Sequence, residues 1–126
     1  MSNNPKKILL VEDDPFLIDI YNTKLVDSGF EVEVAKKGDL ALKKIEKVKP
    51  DLVLLDIVLP GMDGWEVLRK INEEDKGKSC KVVILSNLGQ KEEVDKGLEM
   101  GALEYFIKAH YTPDEITKKI KKILNE

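Results

Sequence analysis

Short apolar runs alternate along the chain with longer stretches in which apolar residues recur at helical spacing. Five runs rich in Val, Ile, Leu and Phe predict β-strands. They are KILLVE (7–12), FEVEVA (30–35), DLVLLD (51–56), KVVILS (81–86) and LEYFI (103–107). The second run alternates between apolar and polar residues, which is typical of a half-exposed edge strand. The third has four apolar residues in succession, which indicates a strand buried on both faces.

A helix is predicted after each of these strands, because apolar residues return there at helical spacing. In chain order the apolar positions are Leu17, Ile20, Tyr21 and Leu25; Ala41, Ile45 and Val48; Val67, Leu68 and Ile71; Val94 and Leu98; and Ile116, Ile120, Ile123 and Leu124. Gly29, Pro50 and Gly101 are expected to end the first, second and fourth helices. The last helix begins at TPDE (112–115), whose Thr, Pro and Glu are placed to form a capping box.

Strands that alternate with helices favour a parallel sheet covered on both faces, because each crossover must return over the sheet. We therefore predict an α/β fold, a three-layer sandwich of a five-stranded parallel sheet with five helices. The length of 126 residues fits one domain over residues 1–126, ordered from about residue 6 to residue 125. In such sheets the functional crevice lies beyond the carboxyl ends of the strands.

Composition and charge predict a soluble globular protein. The sequence is 42% apolar and 36% charged, with a net charge of −3 and Arg69 as its only arginine. Without an arginine-rich stripe, direct nucleic-acid binding is not expected. No apolar run approaches the ~20 residues of a membrane span, and the start MSNNPKK lacks the apolar core of an export signal. Cys80 is the only cysteine, which fits a reducing compartment, and we expect a cytoplasmic location.

The first and third predicted strands both end in carboxylates. Asp56 follows four apolar residues, and an unpaired charge within a buried strand would be costly. We therefore expect Asp56 to end its strand, either exposed or compensated. The first strand ends in VEDDP (11–15), where Asp14 precedes Pro15 and is expected to cap the first helix.

Glu12 and Asp13 remain at the end of the first strand, where capping or plain solvation would explain either of them alone. If the first and third strands are neighbours, these carboxylates meet Asp56 at one edge of the sheet, and like charges so close require a cation. Clustered oxygen ligands without His or Cys suit Mg²⁺. We therefore predict Mg²⁺ as a cofactor.

Ser86 ends the fourth strand and Lys108 follows the fifth. Taken singly, Ser86 is explained as a turn or cap residue and Lys108 as a surface amine. Taken with the acids, they bring a hydroxyl and an amine to the same crevice. The formal charges of the three acids and Lys108 then sum to −2, which one Mg²⁺ would cancel.

Four segments resemble, in order and spacing, the receiver domain of two-component response regulators, the CheY-like family. They are ILLVEDDP (8–15), LVLLDIVLPGMDGWEVL (52–68), VVILSN (82–87) and ALEYFIKA (102–109). The resemblance covers essentially the whole chain and implies a flavodoxin-like sheet with the strand order 2-1-3-4-5. It also implies a protein that is not an enzyme in the usual sense, but a phosphoacceptor that assists its own phosphorylation and dephosphorylation.

The resemblance assigns roles to the acids. Asp56 would accept a phosphoryl group from the phosphohistidine of a sensor histidine kinase or a phosphotransfer protein. Mg²⁺ would be held by Asp56, by Asp13 directly, by Glu12 mostly through water, and by the backbone carbonyl of Val58. Positive charge on the equatorial phosphoryl oxygens is what such a transfer requires.

The resemblance also implies a switch. Ser86 and Lys108 would each bind a phosphoryl oxygen, and Tyr105 would be the switch aromatic that rotates inward as Ser86 is drawn toward the phosphorylated acid. The fourth helix, fifth strand and fifth helix would then present a changed face to a downstream protein target.

Three positions depart from the commonest pattern of the family: Ala109, Asn87 and Ser86, which stands where Thr is more frequent and should preserve the hydroxyl. Ala109 follows Lys108 where the family usually has a proline with a cis peptide bond, and we predict a trans peptide because a cis bond before Ala costs ~3 kcal/mol. Asn87 stands where a small residue is usual and could alter access of a small phosphodonor. Val58 and Leu88 would flank the path of the attacking water, together with Asn87. Since neither apolar side chain can orient a water, we expect slow loss of the phosphoryl group.

Other readings of the sequence remain. The chain either acts alone or is a receiver module cut from a longer regulator or hybrid kinase. A Mg²⁺-dependent aspartyl-phosphate phosphatase would share the nucleophile, but its Asp-x-Asp signature is absent from VEDDP (11–15). A flavodoxin-like FMN carrier would need a Ser/Thr/Gly-rich phosphate loop after the first strand, where this chain has acids.

Overall fold

The computed structural model describes residues 5–75 and 80–125. Within them, five parallel strands form one sheet in the order β2-β1-β3-β4-β5, as expected. The strands are β1 (Lys7–Val11), β2 (Glu31–Ala35), β3 (Leu52–Leu55), β4 (Lys81–Ser86) and β5 (Glu104–Ile107). β2 lies at an edge with alternate residues exposed, whereas every residue of the central strand β3 is buried.

Helices cover both faces of the sheet and complete the three predicted layers. They are α1 (Pro15–Asp27), α2 (Gly38–Val48), α3 (Gly64–Asp75), α4 (Lys91–Glu99) and α5 (Pro113–Leu124), with a 3₁₀ turn at Lys108–His110. Helices α1 and α5 pack through Leu25 and Ile116 into one apolar cluster with Ile8 and Leu10. On the opposite face, α2 and α3 pack into a second cluster with Leu9 and Val11. The strand residues therefore alternate between two cores.

Two helix starts follow the capping chemistry read from the sequence. The Asp14 side chain accepts hydrogen bonds from the backbone N–H groups of Phe16 and Leu17 at the start of α1. Thr112 and Glu115 form the predicted capping box at the start of α5. Each cap satisfies backbone donors that have no partner within the helix.

Two side chains assigned to helix core positions are exposed instead. Ile20 of α1 is 38% exposed and lies one turn after the exposed Phe16, so both occupy an outward stripe. Leu98 of α4 is 45% exposed, because Gly97 is the position that faces the sheet. When a helix has apolar residues on two sides, their spacing alone can place the core-facing residue one position away from the true one.

Helix α4 is held to its neighbour α3 by two side-chain contacts. The Lys96 ammonium lies 4.4 Å from the centre of the Trp65 ring, in a cation–π contact. Near the other end of α4, the Asn72 side chain donates a hydrogen bond to the Met100 carbonyl. These contacts join a short polar helix to the layer beneath the crevice.

Candidate acidic site at the carboxyl ends of the strands

The acids of the first and third strands meet at the carboxyl edge of the sheet. Val11 is paired with Leu55, so β1 and β3 end level with each other and the residues after them become neighbours. One ligand oxygen from each of Glu12, Asp13 and Asp56 lies within 4.8 Å of the others. The structure therefore brings together the three carboxylates that the sequence placed at these strand ends.

Asp56 is buried and compensated, which is the second of the two alternatives that the sequence left open. The residue is 5% exposed, and its Oδ2 lies 2.7 Å from the Lys108 Nζ. Its Oδ1 accepts a hydrogen bond of 3.2 Å from the Val58 N–H. Both oxygens are thus partnered, and the charge is tolerated at the end of the strand because a cation faces it.

Lys108 connects two acids rather than lying on the surface. Its Nζ is 2.8 Å from Glu12 Oε1 as well as 2.7 Å from Asp56 Oδ2, and its side chain is largely buried. Burial by itself would lower the pKa of the ammonium, but the hydrogen bonds and charges of Asp56 and Glu12 outweigh burial and raise that pKa. Lys108 is therefore a protonated counter-charge at neutral pH.

Glu12 is the most deeply buried of the three acids, at 3% exposure. Its Oε2 accepts a hydrogen bond of 3.0 Å from the Asp14 N–H, and its other oxygen faces Lys108. Burial raises the pKa of the Glu12 carboxyl, although the hydrogen bonds from Lys108 and Asp14 oppose that rise. Asp13, by contrast, is exposed to solvent.

Gly64 shapes the site and was not identified as a site residue from the sequence. A Cβ at position 64 would lie 2.5 Å from the Asp56 carbonyl oxygen and 2.5 Å from the Ile57 Cα. The Gly64 N–H donates to the Ile57 carbonyl at 2.8 Å. Only glycine allows α3 to begin this close to the backbone that carries Asp56.

Ser86 and Tyr105 lie on the β4 side of the site. Ser86 is fully buried, and its Oγ accepts a hydrogen bond of 3.3 Å from the Leu88 N–H. Tyr105 is half-buried and donates from its hydroxyl to the Leu88 carbonyl at 2.5 Å. The two residues assigned to the switch therefore contact the same loop.

The peptide after Lys108 is trans, as expected from the residue that follows it. No cis peptide bond occurs in residues 5–75 or 80–125. From Lys108 the chain enters the 3₁₀ turn that ends at His110. The ammonium nevertheless reaches the acids, so a proline at position 109 is not needed to direct it there.

An open crevice surrounds the acids. Its walls include Glu12, Asp13, Asp14, Pro15, Phe16, Asp56, Val58, Asn87 and Lys108. Phe16 and Val58 are 79% and 58% exposed and form an apolar rim, of which the sequence had indicated only Val58. Leu88, expected to flank the same path, is half-buried and packs against the core on the α2/α3 face.

The donor set fits Mg²⁺. Three carboxylates from Glu12, Asp13 and Asp56 are hard oxygen donors, and Asp13 is exposed at the mouth of the crevice, where it can exchange water for metal. Mg²⁺ binds through few carboxylates and keeps several waters, which an open crevice permits. His and Cys ligands, which would favour zinc, are absent from this group of described residues.

A parallel sheet in this order, with three acids and a lysine at its carboxyl edge, defines a receiver domain, and comparison with known proteins agrees. The family described as the response regulator receiver domain matches residues 8–121, and the chain belongs to this family. It is a domain of two-component signalling proteins.

Several bacterial regulators are similar to this chain. It is 39% identical over 121 residues to the alkaline phosphatase synthesis transcriptional regulatory protein PhoP of Bacillus subtilis, covering 94% of this chain and 48% of that protein. It is 33% identical over 118 residues to the phosphate regulon transcriptional regulatory protein PhoB of Rhizobium meliloti, covering 94% of this chain and 52% of that protein. The chain thus spans about half the length of these curated relatives.

Solved structures agree with the fold. A CheY-like response regulator receiver domain protein from Methanospirillum hungatei has a TM-score of 0.87 and 34% identity, covering 97% of this chain and 95% of that one. The BeF3-activated N-terminal receiver domain of RstA from Klebsiella pneumoniae has a TM-score of 0.86 and 34% identity, covering 96% of this chain and all of that one.

Proposed function

We propose that Asp56 is the phosphoacceptor of this receiver domain and takes its phosphoryl group from the phosphohistidine of a sensor histidine kinase or phosphotransfer protein. The observation that carries the proposal is the position of the Asp56 carboxylate, buried within the crevice and bonded to Lys108. A carboxylate bonded to an ammonium is fixed in direction, and its place in the wall of the crevice leaves it reachable by a donor, as a nucleophile must be.

The transfer is a displacement at phosphorus. A carboxylate oxygen of Asp56 forms a bond to phosphorus while the bond from phosphorus to the histidine nitrogen breaks, and the leaving imidazole nitrogen takes up a proton. Bound Mg²⁺ supplies positive charge for the phosphoryl oxygens. Glu12, Asp13, Asp56 and the Val58 carbonyl are the groups that would hold it.

Lys108 and Ser86 are the partners of the transferred group. The Lys108 ammonium is bonded to the attacking carboxylate in the resting protein, so it already lies where phosphoryl charge will appear. Ser86 is buried at the end of β4 and carries a hydroxyl that can donate to a phosphoryl oxygen. These two groups act on the product without forming covalent bonds to it.

The output of the domain is carried by the face formed by α4, β5 and α5. The curated relatives, of whose length this chain spans about half, are transcriptional regulators by name. This supports a target that is either a further domain of the same protein or a separate protein. The domain assists its own phosphorylation and dephosphorylation and works in the cytoplasm. Within residues 5–75 and 80–125, no helix has the length and apolar character to cross a membrane.

The test is the intact mass of the protein after incubation with acetyl phosphate and Mg²⁺. The parent should gain the mass of one phosphoryl group, and EDTA or Asp56→Asn should prevent the gain. Asp51→Asn is a matched control, because Asp51 lies at the opposite end of β3 and accepts a hydrogen bond from the Lys7 N–H that an amide can also accept. A normal mass gain in Asp56→Asn would overturn the assignment.

A further inference from the structure

Gly97 lies on the face of α4 that meets the sheet, and the aromatic ring of Tyr105 occupies the space where its side chain would be. A Cβ at position 97 would lie 2.7 Å from the Tyr105 Cδ2, 3.1 Å from its Cε2 and 2.7 Å from the Ile84 Cδ1. Two of these separations are shorter than carbon atoms tolerate without movement. Because Gly97 has no side chain, the surface of α4 has a recess at this position, which we call the notch. The Tyr105 ring lies in this notch.

The helix itself gives no reason for this glycine. Alanine is favoured over glycine within a helix, and α4 has only nine residues over which to offset the cost. Gly97 is buried and its backbone is helical, so neither a turn nor a left-handed conformation requires it. The close approach of two side chains remains as the structural reason, and of these the Ile84 Cδ1 ends a flexible side chain that can move aside, whereas the Tyr105 ring is rigid.

The seated ring connects α4 to the crevice. The Tyr105 hydroxyl donates to the Leu88 carbonyl at 2.5 Å, and the Leu88 N–H donates to the Ser86 Oγ at 3.3 Å. Burial raises the pKa of the Tyr105 phenol, and a hydrogen bond with the Ser86 side chain opposes that rise. A chain of hydrogen bonds thus links the notch to the hydroxyl at the end of β4.

We propose that Gly97 is a positioning residue, whose notch holds Tyr105 inward and thereby sets how tightly the crevice binds a phosphoryl group. The second half of this inference rests on the proposed roles of Asp56 and Ser86. If phosphorylation favours the inward ring, the inward ring must favour phosphorylation by the same factor, because coupling between two sites is reciprocal. Filling the notch therefore weakens binding at the crevice.

The first experiment tests the notch without any phosphoryl group. Urea unfolding in EDTA is measured for Gly97→Ala, for Tyr105→Ala and for the double variant. Gly97→Ala should lower the unfolding midpoint of the parent, but should raise it in the Tyr105→Ala background, where the ring is gone and alanine favours the helix. An equal fall of the unfolding midpoint in both backgrounds would show that the Tyr105 ring does not occupy the notch, and would overturn the proposal.

Ile84 provides the matched control, since its Cδ1 is the other atom close to the notch. Ile84→Val removes that methyl group and leaves the Tyr105 ring in place. The loss caused by Gly97→Ala should persist largely unchanged in this background. Full relief by Ile84→Val, with none by Tyr105→Ala, would show that the notch accommodates Ile84 and would overturn the proposal.

The second experiment measures binding of beryllium fluoride, a phosphoryl mimic, with Mg²⁺ present and bound fluoride detected by ¹⁹F NMR. Gly97→Ala should raise the concentration for half-saturation at least about fivefold, the lower end of common coupling factors. Leu98→Ala, the exposed neighbour on α4, should leave it within about twofold. Equal affinity in the parent and Gly97→Ala would overturn the coupling while leaving the proposed function intact. If the parent does not bind beryllium fluoride, the proposed function is contradicted. The urea unfolding experiment alone then tests whether the notch holds the Tyr105 ring.

Discussion

The counter-charge of Asp56 comes from a residue 52 positions further along the chain. Lys108 faces both Asp56 and Glu12, so two buried carboxylates share one ammonium. If one partner of such a group is removed, the remaining buried charge is uncompensated. This loss of stability is larger than the stability that the intact group provides. The folded protein must therefore hold the Lys108 ammonium beside both carboxylates even before a phosphodonor arrives.

At the scale of single residues, Val58 should control the loss of the phosphoryl group. It lies two residues after Asp56, lines the crevice with an exposed side chain and cannot orient a water. Val58→Asn should speed decay of the phosphorylated protein about tenfold, a barrier change of ~1.4 kcal/mol. The measurement is first-order decay with Mg²⁺ present and the donor removed.

Leu88→Glu is the informative comparison for Val58→Asn. Because Leu88 packs against the core instead of lining the crevice, its replacement should lower the free energy of unfolding and change the decay rate by less than about threefold. Acceleration by Leu88→Glu but not by Val58→Asn would show that water approaches from the β4 side.

Tyr21 gives the fold a dependence on alkaline pH. Burial, first among the causes, raises the pKa of its phenol from 10.0 to about 12, so the folded protein keeps a proton that the unfolded chain has lost. Stability is therefore complete below the ordinary pKa of tyrosine and falls as pH rises toward 12.

By pH 11 the loss due to Tyr21 should reach about 1 kcal/mol, from a shift worth ~1.4 kcal/mol per pH unit. Urea unfolding at pH 8.5 and pH 11 should show a smaller loss in Tyr21→Phe than in the parent, and the difference isolates Tyr21 from the lysines that titrate in the same range. Identical losses in both proteins would contradict this assignment.

At the scale of elements, α2 ends in an unusual way. Lys49 caps it with φ 54° and ψ 64°, the left-handed conformation that side chains disfavour, and Pro50 follows. Lys49→Gly should therefore raise the free energy of unfolding by about 1 kcal/mol. Lys47→Gly, within the last turn of the same helix, should lower it by about 0.5–1 kcal/mol. Urea unfolding of both variants makes the test, and a loss in both would show that the Lys49 conformation carries no strain.

Local chemistry explains why the elements could be predicted from the sequence. The buried run of β3, the alternation of β2 and the caps at Asp14 and Thr112 each depend on residues a few positions apart. The meeting of Glu12 with Asp56 followed from the expected neighbouring of two strands. Contacts between residues of different elements could not be predicted in this way. The close approaches of Gly64 to Asp56 and of Gly97 to Tyr105 join separate elements, and no local sequence pattern indicates them.

The burial of Asp56 shows the same limit at the site. Its position at the end of a strand was predictable, and so was the need for compensation. Its exposure was not, because the β3–α3 loop and Lys108 together decide how much solvent reaches the carboxylate. The roles of Val58, Asn87 and Leu88 in water access stay predictions, and only the first two line the crevice.

At the scale of the whole molecule, the acidic site should make stability depend on Mg²⁺. Three carboxylates and one ammonium leave uncompensated negative charge in a small volume, which a bound cation relieves. At a Mg²⁺ concentration tenfold above its Kd, the folded state should gain about 1.4 kcal/mol. Thermal unfolding in Mg²⁺ and in EDTA measures the gain.

Asp13→Asn should separate the two contributions to this dependence. In EDTA it removes a like charge beside Glu12 and Asp56 and should raise Tm, whereas in Mg²⁺ it loses a ligand and should show little further gain. Asp19→Asn, an exposed acid on α1 that is not part of the acidic group, should respond to Mg²⁺ as the parent does. An undiminished response in Asp13→Asn would exclude that carboxylate as a ligand.

The contact between Lys96 and Trp65 gives the molecule an optical property. Trp65 is the only tryptophan in the sequence, and the ammonium over its ring belongs to α4. Indole emission responds to a nearby charge, so a displacement of α4 will appear as a change in intrinsic fluorescence, without a dye or a label. The domain can therefore serve as its own reporter in stopped-flow mixing, and its response can be timed from the moment a phosphodonor is added.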